Sequence, residues 1–166
     1  AYALERAAGA GIEAFALTKK SCGGQEGFEK RLTEELEKRG IDLIILAGFM
    51  SILSEDFTRH FDHKIINIHP ALIPSFCGKG YYGIKVHEEV IKYGVKLSGA
   101  TVHFVDEEAD TGPIIIQEAV EVGYEDTAET LQQKVLKIEH KILPLAVKYY
   151  CEGKIQISGR KVKIKE

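Results

Sequence analysis

The chain has 166 residues, 45% of them hydrophobic, and a formal net charge of −3 at pH 7. This length and composition predict one domain with a sizeable core. Without a basic surplus, the chain is not expected to bind nucleic acid or an anionic membrane. Its apolar runs are far shorter than the roughly 18 residues that span a bilayer. No secretory signal pattern is present, so we expect a cytoplasmic protein.

The cysteines argue against a metal site and against a disulfide framework. Cys22, Cys77 and Cys151 are odd in number, lie far apart and match no zinc-ligand spacing. Reduced thiols are the simplest interpretation, and no metal is expected. Cys77 lies near the site described below, but no histidine or other base adjoins it in sequence, so we interpret it as a bystander.

The first predicted element is the later part of a helix, over residues 1–8, which ends at Gly9 and Gly11. Because this is an unusual beginning for an α/β domain, we expect upstream residues to be missing from the sequence. The elements that follow are a short strand over 14–18, an amphipathic helix over 27–39, a buried strand over 41–47 and a short helix over 54–59 capped by Ser54.

The later elements include one long irregular stretch, over 70–83, and a loop of that length in a compact domain is usually functional. Pro144 is expected to kink or split the last helix. The other elements are strands over 64–69, 98–105 and 113–122, helices over 84–93 and 127–150, the second capped by Thr127, and a small hairpin over 154–166.

Strands and helices alternate through the first half, which predicts an α/β fold with a mostly parallel, doubly wound, Rossmann-like sheet. The strands over 98–105 and 114–122 are joined by a turn too short for a crossover, so the C-terminal portion of the sheet should be antiparallel. We expect a catalytic domain over 1–152 and a tail or hairpin over 153–166.

The most informative segment is Asn67-Ile-His-Pro, at the end of an apolar strand. Side chains alternate along a strand, so Asn67 and His69 project from the same face. Pro70 tends to end the strand. An amide and an imidazole would then lie side by side at the carboxyl end of a buried strand, where open α/β sheets bind ligands.

A carboxylate for this pair is available in the acidic turn over 106–113. We interpret Glu107 and Glu108 as solvated, whereas Asp110 directly precedes Thr-Gly-Pro, where the backbone geometry is constrained. A carboxylate beside an imidazole raises its pKa and orients its ring. We therefore expect Asp110 to pair with His69 and to hold it cationic.

These three side chains suit acyl transfer. The Asn67 amide can donate to an oxygen that becomes negative in a tetrahedral intermediate, and His69 can act as an acid or base. No activated serine or cysteine is evident, so the nucleophile would come with the substrate, as an amine or water.

Four segments together resemble phosphoribosylglycinamide formyltransferase, which passes a formyl group from 10-formyltetrahydrofolate to glycinamide ribonucleotide in purine synthesis. They are Leu46-Ala-Gly-Phe-Met, Ile66-Asn-Ile-His-Pro-Ala-Leu-Ile-Pro, Gly99-Ala-Thr-Val-His-Phe-Val and Asp110-Thr-Gly-Pro-Ile-Ile-Ile-Gln. The resemblance runs from about residue 1 to 150. It implies small-molecule substrates and a monomer or homodimer.

The resemblance also implies roles for particular residues. Asn67, His69 and Asp110 would be the catalytic trio. The folate site would be lined by Met50, Ser51, Ile52, Leu53, Ile65, Val105, Asp106 and Ala109. The ribonucleotide would contact Gly48, Gly78 and Glu139. Thr101 and His103 would support the site from their strand, although a core histidine is an equal interpretation.

Two departures from the family stand out. The family carries a Gly-x-Gly-Ser-Asn segment after its first strand, which cradles the substrate phosphate, and this sequence contains none. Either about forty residues precede this sequence or the ribonucleotide is not held normally. Ser51 stands where many relatives carry arginine beside the folate.

Three alternatives stay open. Formyltetrahydrofolate deformylase shares the Asn-x-His and Asp elements and delivers the formyl group to water, but it lacks the Gly48-Phe-Met turn. Methionyl-tRNA formyltransferase shares the trio but needs an RNA-binding extension. A non-catalytic folate-binding fragment is the third.

Overall fold

The computed structural model describes residues 2–49 and 51–165. The chain divides into two compact units, Ala1–Ile41 and Asp42–Glu166. In the first unit, helix α1 spans Tyr2–Gly9 and helix α2 spans Gln25–Lys38. The prediction of a strand over 14–18 is wrong, because these residues have no strand pairing with them in the part of the chain described. A β-prone run becomes a strand only beside a partner.

The described residues of the second unit form a four-stranded sheet, three helices and a separate two-stranded hairpin. Its elements in chain order are β1 Ile44–Leu46, α3 Glu55–His60, β2 Ile65–His69, α4 Ile84–Tyr93, β3 Leu97–Phe104, β4 Ile114–Glu121, α5 Ala128–Cys151, β5 Ile155–Ser158 and β6 Lys161–Ile164. The predicted elements of this unit are therefore confirmed, with ends shifted by at most two residues, except that the strand predicted over 41–47 is shorter and spans Ile44–Leu46.

The sheet has the strand order β1-β2-β3-β4 and is mixed. The β1 and β2 strands are parallel, and β3 is antiparallel to both β2 and β4. The α/β class and the antiparallel C-terminal portion are thus confirmed. Of the three strand pairs in the described sheet, one, β1–β2, is parallel. Residues 70–83 and α4 bring the chain back to the same end of the sheet that it left at His69, so β3 runs opposite to β2. The alternation of elements does not reveal where such a connection returns.

Local sequence signals explain where the helices begin. Ser54 caps α3, since its hydroxyl accepts from the Phe57 N–H at 3.2 Å. Thr127 caps α5 in the same way, with the Thr130 N–H as donor at 3.3 Å. Pro144 lies inside α5, which continues through it as one helix, so of the two expected outcomes, a kink or a split, the split does not occur.

The core of the second unit lies between α5, α4 and the sheet. The β3 strand is buried from Ser98 onward, and Leu131, Val135 and Ile142 of α5 are buried with it. The β5–β6 hairpin places Ile155, Ile157, Val162 and Ile164 against this core. Within residues 2–49 and 51–165, no helix has the length and apolarity needed to cross a membrane.

Candidate active site

The carboxyl end of β2 opens into a cavity of about 340 Å³. Asn67 and His69 both line it, as the alternation of the strand requires. His69 is 4% exposed, and Asn67 is half-buried. Strand β3 runs beside them, with His103 opposite Asn67 and Thr101 opposite His69.

His103 links two members of the predicted trio. Its Nδ1 donates to the Phe104 carbonyl at 2.8 Å, so that nitrogen carries a hydrogen. Its Nε2 lies 3.2 Å from Asn67 Nδ2 and 3.5 Å from Asp110 Oδ1. Without a hydrogen this nitrogen accepts from Asn67, and with one it donates to Asp110. The His103 ring therefore contacts both the amide and the carboxylate, and the hydrogen on Nε2 decides which of the two it bonds.

Asp110 reaches the site because the β3–β4 turn is tightly shaped. Its backbone lies in the left-handed region, with φ 61°. Gly112 is required by close approach, since a Cβ there would lie 1.9 Å from the Phe104 carbonyl oxygen. The Thr111 hydroxyl donates to Asp106 across the turn at 2.6 Å.

The predicted pairing of His69 and Asp110 is present, with 3.5 Å between Nδ1 and Oδ2. The other ring nitrogen, Nε2, donates to the Phe76 carbonyl at 2.8 Å. Burial, with a smaller contribution from His103, lowers the pKa of His69 more than Asp110 and the Phe76 carbonyl raise it. The expectation of a cationic His69 is therefore wrong for the free protein, because desolvation favours the neutral ring.

Asp110 remains ionised. Burial raises the pKa of its carboxyl, but His103, His69 and the Gly78 N–H together lower it further, and the net direction is downward. The Gly78 N–H donates to Oδ2 at 2.8 Å, which ties residues 70–83 to the site. Burial and the Asp110 charge raise the pKa of the Cys77 thiol, which disfavours a thiolate nucleophile.

The remaining predicted residues divide into two groups. Those that line the cavity are Gly48, Ser51, Ile52, Leu53, Gly78, Val105, Asp106 and Ala109. Ile65 is fully buried in the core instead, and Glu139 lies half-buried on α5, where burial raises the pKa of its carboxyl. Met50 lies outside the described residues.

One important contact was not predicted from the sequence, that of the Phe76 carbonyl with His69. A backbone carbonyl leaves no signature in the side-chain pattern. Phe76 has φ 50°, an uncommon conformation for a bulky residue. Tyr81 and Tyr82 in the cavity wall were not predicted either, and the length of the 70–83 stretch was the available signal for them.

Comparison with known proteins identifies the family. The family model described as "Formyl transferase" matches residues 1–147. The chain belongs to the formyl transferase family. Chloroplastic phosphoribosylglycinamide formyltransferase of Arabidopsis thaliana is 46% identical over 125 residues, which are 75% of this chain and 43% of that protein. The chain thus spans less than half the length of that formyl transferase.

Solved formyl transferase structures show the same fold. Glycinamide ribonucleotide transformylase 1 from Symbiobacterium toebii superposes with a TM-score of 0.92 at 39% identity, over 100% of this chain and 76% of that one. A formyltetrahydrofolate deformylase from Pseudomonas syringae pv. tomato superposes with a TM-score of 0.86 at 27% identity, over 98% of this chain and 52% of that one. The mixed α/β sheet is therefore shared by proteins named as transferases and as a deformylase.

Proposed function

We propose that this protein transfers a formyl group from 10-formyltetrahydrofolate to the amine of glycinamide ribonucleotide. The observation that carries the proposal is the convergence of Asn67, His69 and Asp110 on one cavity at the carboxyl end of β2. The higher identity to the transformylase than to the deformylase supports an amine rather than water as acceptor. Residues 1–152 would form the catalytic domain, with 153–166 as its C-terminal tail or hairpin.

The reaction begins when the amine of the ribonucleotide attacks the formyl carbon. A carbon–nitrogen bond forms, and the formyl oxygen becomes negative. An Asn67 N–H pointing into the cavity donates to that oxygen, which lowers the barrier because the donor is already in place. Collapse of the tetrahedral intermediate breaks the bond between the formyl carbon and N10 of the folate.

One proton must pass from the attacking amine to the leaving N10. Nε2 of His69 donates to the Phe76 carbonyl, so Nδ1 is the nitrogen that accepts this proton. The resulting imidazolium is stabilised by the Asp110 carboxylate at 3.5 Å. A neutral resting His69, favoured by its burial, is the form that can take the proton.

The cavity wall suggests where the two substrates bind. Ser51, Ile52 and Leu53 with the loop residues Val105, Asp106 and Ala109 would hold the folate. Gly48 and Gly78 would contact the ribonucleotide, whereas Glu139 and Ile65 do not line the cavity and would act from outside it. We also propose Met50, which precedes Ser51 in the sequence, as a folate-site residue.

A direct test is to incubate the purified protein with 10-formyltetrahydrofolate, with and without glycinamide ribonucleotide. The released tetrahydrofolate and the formylated product are both quantified. Equal amounts of the two, formed only when the ribonucleotide is present, support transfer. Tetrahydrofolate release with formate, at the same rate in both samples, would assign the protein to hydrolysis instead.

A further inference from the structure

One buried hydroxyl on β3 has its complete hydrogen-bonding capacity committed to the chain that follows β2. Thr101 is 0% exposed, and its Oγ1 donates to the Ala71 carbonyl at 2.6 Å. The same oxygen accepts from the Ile73 N–H at 3.1 Å and from Gln117 Nε2 at 3.0 Å. A hydroxyl has one donor and two acceptor sites, so all three are used.

Gln117 of β4 completes this arrangement from the outer side. Its Nε2 carries two hydrogens, of which the second goes to the Ile73 carbonyl at 2.9 Å. Both backbone groups of Ile73 are therefore bonded to side chains of the sheet. The backbone of residues 71–73 belongs to no strand, and side chains of β3 and β4 take the place of strand partners for Ala71 and Ile73.

The segment held in this way leads directly to the catalytic groups. Three residues beyond Ile73, the Phe76 carbonyl accepts from His69. Two residues later, the Gly78 N–H donates to Asp110. Both contacts come from the backbone, so their positions depend on where the preceding residues are fixed.

We propose that Thr101, with Gln117 bonded over it, is a positioning residue for the formyl transfer, which it serves by placing the Phe76 carbonyl on His69 and the Gly78 N–H on Asp110. This inference rests on the proposed function for its rate measurements. Thr101 touches neither reacting group itself. It acts on the orientation of the His69 ring and on the Asp110 carboxylate through residues 71–78.

The test uses four variants of the full chain. Thr101→Val keeps the shape and removes the hydroxyl, Thr101→Ser keeps the hydroxyl, and Gln117→Ala removes the outer amide. Thr127→Ala is the matched control, because it removes the capping hydrogen bond at the start of α5 and destabilises the fold without touching residues 71–78. Each variant is assayed for kcat and KM and for the exchange rate of the Gly78 amide, by NMR on the free protein.

Thr101→Val should lower kcat by about tenfold or more and speed Gly78 amide exchange by about tenfold, since the amide loses its fixed place beside Asp110. Gln117→Ala should move both readouts in the same direction by about threefold, because only the outer of the two side chains is lost. Thr101→Ser should restore both values to within about twofold of the parent, and Thr127→Ala should leave kcat unchanged.

Two results would overturn the proposal: kcat retained in Thr101→Val, or kcat lost there while Gly78 exchange matches that of the Thr127→Ala control. If Thr101→Val does not fold, the Gln117→Ala variant decides, because Gln117 is exposed and Thr101 keeps its hydrogen bonds to Ala71 and Ile73 without it. If the parent protein transfers no formyl group, the proposed function fails, while the exchange measurements still show whether Thr101 places Gly78.

Discussion

The buried His87 of α4 should make the protein acid-sensitive at mild pH. The side chain is 2% exposed, and its Nδ1 has no hydrogen-bond partner in the described parts of the chain. Burial, with a smaller contribution from His69, lowers the pKa of His87 from 6.5 to about 4. The unfolded chain therefore binds this proton at a higher pH than the folded one. Stability is complete above pH 6.5 and declines as the pH falls toward 4.

The size of this effect follows from the two pKa values. From pH 8 to pH 5 the unfolded chain binds more protons than the folded chain, and this difference integrated over pH is about 1.5. The free energy of unfolding therefore falls by about 2 kcal/mol over this range. His69, whose pKa is also lowered, adds in the same direction. Glu139 opposes the trend slightly, because a carboxyl with a raised pKa takes its proton earlier in the folded state.

The assay is urea unfolding at pH 8 and pH 5, followed by fluorescence of the tyrosines and by circular dichroism. His87→Gln should remove most of the difference between the two pH values, whereas His140→Gln, at an exposed position of α5, should keep it. If the parent protein is equally stable at both pH values, or if His87→Gln leaves the difference intact, His87 is not buried in its neutral form and the reasoning fails.

Three further predictions concern the site. Asn67→Ala removes an oxyanion donor and should lower kcat by about 10² to 10³ with KM little changed, measured by formyl transfer; a fall in folate affinity alone would contradict this role. Asp110→Asn leaves burial as the main influence on His69, so its pKa should fall further, seen by NMR titration of the ring; an unshifted titration would exclude the pairing. Gly112→Ala should destabilise the protein by about 1–3 kcal/mol in urea unfolding, because its Cβ meets the Phe104 carbonyl, and an unchanged midpoint would show that the turn adjusts freely.

Strand periodicity was sufficient to predict that Asn67 and His69 share a face, whereas the pairing of Asp110 with His69 was predicted from charge and from the constrained turn. Asn67 and His69 lie on one face because they are two residues apart, and Asp110 faces them because its short turn leaves it few positions. The Phe76 carbonyl and the Gly78 N–H could not be predicted in this way, since every residue carries the same backbone groups. Only the folded path of residues 70–83 selects these two.

The net lowering of the His69 pKa could not be predicted from the sequence, for a related reason. The sign of the Asp110 contribution follows from its charge, which the sequence provides. The larger contribution is desolvation, and that depends on how many elements close over the ring. In the same way, residues 14–18 have the composition of a strand, but pairing depends on a neighbour that composition does not specify.

The motif Gly99-Ala-Thr-Val-His-Phe-Val gains a physical explanation from β3. Its alternate residues Gly99, Thr101 and His103 share one face by strand periodicity, and each meets the chain beyond β2 or β3 in a different way. A Cβ at Gly99 would lie 2.8 Å from Leu72 Cδ2 and 2.1 Å from the Glu118 carbonyl oxygen, so only glycine admits both. Thr101 then bonds residues 71–73, and His103 bonds Asn67 and contacts Asp110.

Three consecutive positions on one face of β3 thus have three roles. Gly99 leaves room for Leu72, Thr101 holds the backbone of residues 71–73, and His103 contacts Asn67 and Asp110. Their order follows the geometry of the sheet. His69 pairs with Thr101, so the residue that bonds residues 71–73 lies opposite the end of β2. Asn67 pairs with His103, which lies two residues further along β3 and contacts Asn67 and Asp110. Exchanging any two of the three would place a ring against Leu72 or leave the Ile73 N–H without its acceptor, which is why the pattern requires this order.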